Sequence, residues 1–137
     1  MKIELKRIEE PFLLEAKNES GNKIHIDAST SIGGKDAGVR PMELLLMGLG
    51  GCSSIDVIMI LKKQGIHIED YSVEVDGERE SGKDANLFKK IKIHFSFKGN
   101  LEDEKIKRAI ELSLQKYCSV AKTLEPTAEI NYTYSIN

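Results

Sequence analysis

The sequence has no tryptophan and only four phenylalanines and four tyrosines, so the interior it builds must be mostly aliphatic. Two cysteines in 137 residues are too few for the disulfide framework of a small secreted domain. In a reducing compartment a permanent disulfide is not expected, which leaves two buried thiols or a redox pair. A charge of one sign is missing as well. Twenty basic residues against 22 acidic ones give a formal net charge of −2, with no overall pull toward nucleic acid or an anionic membrane. The opening MKIELKRIEEPF alternates charged and apolar residues without a signal-peptide apolar block, so cytoplasmic residence is expected. No internal repeat, linker or low-complexity stretch interrupts the chain, and its length suits a single domain spanning residues 1–137.

What the sequence does contain is ordinary globular patterning with one unusual helix. Lys2 to Arg7, Phe12 to Ala16 and Lys23 to Asp27 read as three strands, the last two joined by turn chemistry at Asn18 to Asn22. Ser31 to Val39 is a glycine-rich loop. It lacks the Ser or Thr that a phosphate-binding Gly-Lys needs, because Asp36 follows Lys35, so a mobile connecting loop is expected. Tyr71 to Glu80 and Lys89 to Phe97 alternate and form a second hairpin. Asn100 is placed to cap a helix whose apolar face is Ile106, Ala109, Ile110, Ser113, Leu114 and Tyr117, ending near Cys118. A short turn from Ser119 and a last strand, Ala128 to Ile136, complete an α+β order βββ-α-ββ-α-β, read as antiparallel sheets around a long central helix.

That central helix runs from Pro41 to about Gln64, with Pro41 at its first position and Gly65 as C-cap. It is long enough to span a membrane, but Glu43 and Asp56 lie inside the apolar run, and a mid-membrane Asp costs about 2.5–3.5 kcal/mol. A helix apolar nearly all round is a buried one, which in so small a chain asks for cover by sheets or by a second copy. Gly48, Gly50 and Gly51 each cost about 1 kcal/mol against Ala, as where another backbone or a ligand comes close. Gly48, Cys52, Ile55 and Met59 share one face, so a thiol sits on the thinned stripe.

A thiol pair of this kind supports two readings. Free cysteine packs as a small hydrophobe, and Cys52 and Cys118 are two inert core thiols on that account. Alternatively, Cys52 as thiolate attacks a peroxide and becomes a sulfenic acid that Cys118 condenses with, and an apolar surround favours organic hydroperoxides. Asp56 lies four residues after Cys52 on the same side, where an anion raises a thiol pKa, and pairing with a cation such as a lysine is expected. His25, His67 and His94 have no ligand-like spacing to either cysteine, so neither a metal site nor a cofactor is expected.

The segment PMELLLMGLGGCSSIDVIMILKK, followed by KYCSVAKTL, resembles the OsmC/Ohr family of thiol-dependent hydroperoxide reductases. The likeness extends to the strand order over nearly the whole chain, and it implies an intertwined homodimer with two interfacial active sites. It implies Cys52 as the peroxide-attacking and Cys118 as the resolving cysteine, an organic hydroperoxide as substrate and a dithiol as reductant, with no nucleic acid or membrane partner. Family members place a carboxylate directly after the proline, whereas here Met42 intervenes and the carboxylate is Glu43. The arginine they carry in an N-terminal strand has no counterpart in Phe12 to Asp27, and Ser119 stands where a Pro often follows the second cysteine. Nine residues of ideal helix put Glu43 about 13 Å from Cys52 along the axis. Glu43 or Arg40 is therefore expected to reach the thiol from a partner subunit. The alternative is a non-catalytic relative that binds a small molecule or senses oxidants through its thiol.

Overall fold

The computed structural model describes all 137 residues, Met1–Asn137. They form two compact units, Met1–Leu45 and Leu46–Asn137, each described by itself here. The first unit is a three-stranded meander of β1 (Ile3–Glu9), β2 (Leu13–Asn18) and β3 (Lys23–Ile26), both pairs antiparallel. Leu13, Ala16 and Ile26 are buried, while the apolar residues of β1 are not: Ile3 and Leu5 are each 54% exposed.

The glycine-rich loop is tethered rather than free. Asp27, only 3% exposed, accepts the backbone N–H groups of Ala28, Lys35 and Ala37 at 2.8, 3.1 and 3.1 Å. Those three bonds hold its carboxyl below the usual carboxylate range, the Ala37 N–H most strongly, against an opposing push from partial burial. Val39 then bridges to Ile26, closing the loop onto the sheet. The amides that a phosphate would need at residues 35 and 37 are thus spent on a carboxylate of the chain itself.

The second unit carries the core. Helix α1 (Pro41–Lys63) begins in the first unit and runs through the second. Its C-terminus closes as the sequence suggests: Gly65 has φ +71°, Ile66 N–H donates to the Leu61 carbonyl at 3.0 Å and Gly65 N–H to that of Lys62 at 3.0 Å. Strands β4 (Asp70–Arg79) and β5 (Phe88–Lys98) pair antiparallel, and α2 (Asp103–Leu112) and α3 (Ser119–Leu124) lead to β6 (Glu129–Ile136). Here the expectation of antiparallel sheets fails for one pair, because β5 and β6 are parallel. A connection carrying two helices has the length that a parallel crossover needs and a hairpin does not. Helix α2 also starts later than Asn100 suggests, with Glu102 at its cap.

Ile91, Ile93, Phe95 and Phe97 of β5 alternate onto one face and are essentially fully buried. Helix α1 lies over the β4 side of that face. A Cβ at Gly50 would come within 3.1 Å of Val75 Cγ2, so glycine there permits the approach. Helix α2 lies over the β6 side, where Tyr132 donates to Glu111 and Tyr134 to Asp103 at 3.0 and 2.9 Å. Of the apolar circumference of α1, the stripe Leu49, Ser53, Val57 and Leu61 is fully buried. Met47, Ile55, Ile58 and Met59 are exposed, Ile55 by 64%. The helix is long and apolar enough to cross a membrane by composition, yet one stripe of it is seated in the core of the second unit.

Candidate thiol site

One regular helix and one wide helical turn bring the site together. Cys52 lies in the unbroken middle of α1, one residue before the buried Ser53, and is therefore half-buried. Cys118 is placed differently. After Leu112 the α-helix widens for one turn over Ser113–Tyr117, and the Cys118 N–H reaches back five residues to the Ser113 carbonyl at 2.7 Å. A wider turn winds less per residue, so the position that would be inward, Tyr117, swings out to 52% exposure and Cys118 takes its place at 0%. Cys118 then leaves the helix with ψ 103° and starts α3, where the Ala121 N–H donates to its sulfur at 3.4 Å.

The result is one cluster. Cys52 Sγ, Cys118 Sγ and a carboxylate oxygen of Asp56 all lie within 4.8 Å of one another. Asp56 does not pair with a lysine, as its sequence position suggests. Its Oδ2 accepts the hydroxyl of Ser113 at 3.0 Å. Ser113 is fully buried, a residue of the same wide turn that delivers Cys118, and a hydroxyl there satisfies the carboxylate where a long ammonium chain would have to be desolvated. Burial pushes the Cys118 thiol up to about 11, with the neighbouring Cys52 adding to the rise and the Ala121 N–H opposing it. Cys118 is thus held as a neutral thiol beneath a more accessible partner.

Gly48 faces Val120, two residues on from Cys118, but a Cβ there would stand 3.8 Å away in ordinary contact. Gly51 faces open space. The close approach that the glycines announce is therefore made at Gly50, onto β4, and not on the face that carries the thiol.

Arg40 and Glu43 are engaged locally, in the first unit. Glu43 Oε1 accepts the Arg40 backbone N–H at 2.9 Å, the reciprocal half of a capping box at the start of α1. The Arg40 guanidinium donates to Asp36 Oδ1 at 2.9 Å and to the Gly38 carbonyl at 3.1 Å. The thiol cluster of the second unit consists of Cys52, Asp56 and Cys118. The sequence thus points to both cysteines and misses Ser113. It notes Asp56 without seeing that a residue 57 positions further on holds it in place.

Known proteins share the family and the fold of this chain. A family model described as OsmC-like protein matches residues 33–133. Protein YhfA of Escherichia coli is 38% identical over 121 residues, 88% of this chain and 87% of its own length. Among solved structures, a hypothetical protein from Aquifex aeolicus has TM-score 0.81 at 30% identity, over 99% of this chain and 96% of that one. An organic hydroperoxide resistance protein OsmC from Legionella pneumophila shares the fold, with TM-score 0.75 at 12% identity over 98% and 95% of the two chains.

Proposed function

Since the chain belongs to the OsmC-like family, we propose that it reduces organic hydroperoxides through its two thiols, within the redox or peroxide-stress role that the family supports. The observation that carries this reading is the approach of the Cys52 and Cys118 sulfurs to within 4.8 Å. A disulfide needs about 2.05 Å, a closure of the order that side-chain rotation at a half-buried cysteine supplies. Exposure and protonation support the roles proposed for the two thiols. Cys52 is accessible to substrate, whereas Cys118 is buried and held neutral at ordinary pH.

In the first step Cys52 thiolate attacks the terminal oxygen of the hydroperoxide. The O–O bond breaks, the alkoxide leaves and takes a proton as an alcohol, and Cys52 becomes a sulfenic acid. Cys118 then attacks that sulfur, its proton departs with the hydroxyl as water, and the disulfide forms. A dithiol donor returns both thiols by exchange. No cofactor takes part in these steps.

The working unit on this reading is a cytoplasmic homodimer. Its support is apolar surface that a single copy leaves uncovered: Ile3 and Leu5 on β1 in one unit, Met47, Ile55, Ile58 and Met59 on α1 in the other. Arg40 or Glu43 of the partner subunit would then complete the site. The test is consumption of an alkyl hydroperoxide with excess dithiol. Wild type turns over and Cys52→Ser does not, and equal rates in the two would remove Cys52 from the mechanism.

A second reading is favoured by one set of contacts, those of Arg40 and Glu43 with each other and with the loop. With its cation and first-turn carboxylate so engaged and Asp56 beside the thiols, the protein would bind a small apolar molecule or sense oxidants without turnover. Thiols that stay reduced in excess alkyl hydroperoxide, while an apolar fluorescent probe still binds, decide for it.

A further inference from the structure

We propose that Cys52 Sγ, Cys118 Sγ and the Asp56 carboxylate form a three-ligand site for a thiophilic divalent cation of the zinc class, with its fourth position open to water. This reading concerns the same site as the peroxide chemistry and adds a regulator to it, because a cation bound to Cys52 withholds the sulfur from peroxide. The regulatory half rests on that chemistry; the binding half does not.

The donor set is the first support. Two thiolates and one carboxylate suit zinc, and three protein ligands plus a water is the open form of its tetrahedral coordination. Distance is the second. Bond lengths of about 2.3 Å to sulfur and about 2.0–2.2 Å to oxygen place tetrahedral ligands about 3.5–3.8 Å apart. The three atoms here lie within 4.8 Å of one another, so the cluster needs to contract by only about 1 Å.

A held outer shell is the third support, and it separates this cluster from a chance meeting of side chains. The Ser113 hydroxyl donates to Asp56 Oδ2 at 3.0 Å and leaves the other carboxylate oxygen free. The Ala121 N–H donates to Cys118 Sγ at 3.4 Å, fixing that sulfur's position. Metal ligands are commonly oriented in this way by hydrogen bonds from behind. Access is the fourth, since Cys118 is fully buried whereas Cys52 and Asp56 are both half-buried and leave one side of the cluster open. Ligand spacing along the chain does not reveal this cluster, because the spacing rules look for histidine and paired cysteines, whereas the third ligand here is an aspartate.

The experiment uses the full-length reduced protein, without oxygen, titrated with Co²⁺. Binding at this site produces a sulfur-to-cobalt charge-transfer band in the near ultraviolet and intense visible bands of tetrahedral Co²⁺, saturating at one ion per chain, and stoichiometric Zn²⁺ bleaches them. Cys118→Ser and Cys118→Ala each lose about half the charge-transfer intensity. Asp56→Asn, nearly isosteric and partly exposed, keeps the fold and weakens affinity. Ser113→Ala, which touches no cation, weakens it by about ten- to a hundredfold. Absence of the charge-transfer band at excess Co²⁺ overturns the proposal, as do bands unchanged in Asp56→Asn and in both Cys118 variants. Neither result bears on peroxide reduction, which is measured on metal-free protein. Slower oxidation of Cys52 with one equivalent of Zn²⁺ supports the regulatory half, and an unchanged rate overturns it.

Discussion

The two cysteines occupy contrasting kinds of backbone. Cys52 sits in 23 residues of regular helix, and Cys118 sits at the exit of a single wide turn. Regular helix gives a thiol its direction by periodicity alone, and Cys52 ends beside the buried stripe at half exposure. The wide turn gives Cys118 a direction that no periodicity predicts, and it ends fully buried, its thiol held protonated by that burial. On the proposed reading the accessible sulfur attacks, and the buried one waits for a partner that has already reacted.

The contrast is broken most severely by Cys52→Ser, which is expected to abolish hydroperoxide consumption. Cys118→Ser instead permits one oxidation and then accumulates sulfenic and sulfinic acid at Cys52, visible as added oxygen mass in that peptide. Moving the thiol back one place, with Tyr117→Cys and Cys118→Ala, sets it at the position that the wide turn swings outward, away from Cys52. The disulfide is then lost while Cys52 remains oxidisable. A disulfide still formed in that variant means the wide turn is not what positions Cys118.

Changing pH sharpens the same difference in metal-free protein. At pH 8 iodoacetamide labels Cys52 far faster than Cys118, and Cys118 gains reactivity only as pH approaches its value of about 11. The sign for folding follows. Below the ordinary thiol value of 9.0 both folded and unfolded chains hold the Cys118 proton, and between there and about 11 only the folded chain does. The unfolded state binds fewer protons in that window, so stability falls as pH rises through it. Chemical denaturation at pH 8 and pH 10.5 measures the loss, and Cys118→Ala is expected to reduce it.

Glycine substitutions test the smallest effects. Gly48→Ala has room beside Val120 and gains up to about 1 kcal/mol of helix stability. Gly50→Ala meets Val75 Cγ2 at 3.1 Å, so its gain is offset and its melting temperature falls below that of Gly48→Ala. Equal shifts in the two variants mean that α1 is not seated against β4 at Gly50.

How much of this could be read in advance follows the same division. Element order, the span of α1 and its Gly65 cap are legible, because each depends on local periodicity or on turn residues, whereas the nearness of Cys52 to Cys118 is implied only by the family resemblance. The parallel β5–β6 pair is not legible, since strand direction is set by the length of the crossover rather than by either strand. Tyr117 was assigned inward on a 3.6-residue period that the wide turn does not keep. The sequence points Asp56 to a cation because its real partner, Ser113, is brought to it only by the packing of the wide turn against α1. The glycine-rich loop hid its organiser, since one buried aspartate, Asp27, takes three of its amides.

The most direct measurement of the central claim is a titration of the reduced, metal-free protein with one equivalent of an alkyl hydroperoxide, followed by peptide mapping under non-reducing conditions. The account predicts complete loss of free thiol, one alcohol released per chain, and a Cys52–Cys118 disulfide within the same chain. Two free thiols and unspent hydroperoxide would contradict it.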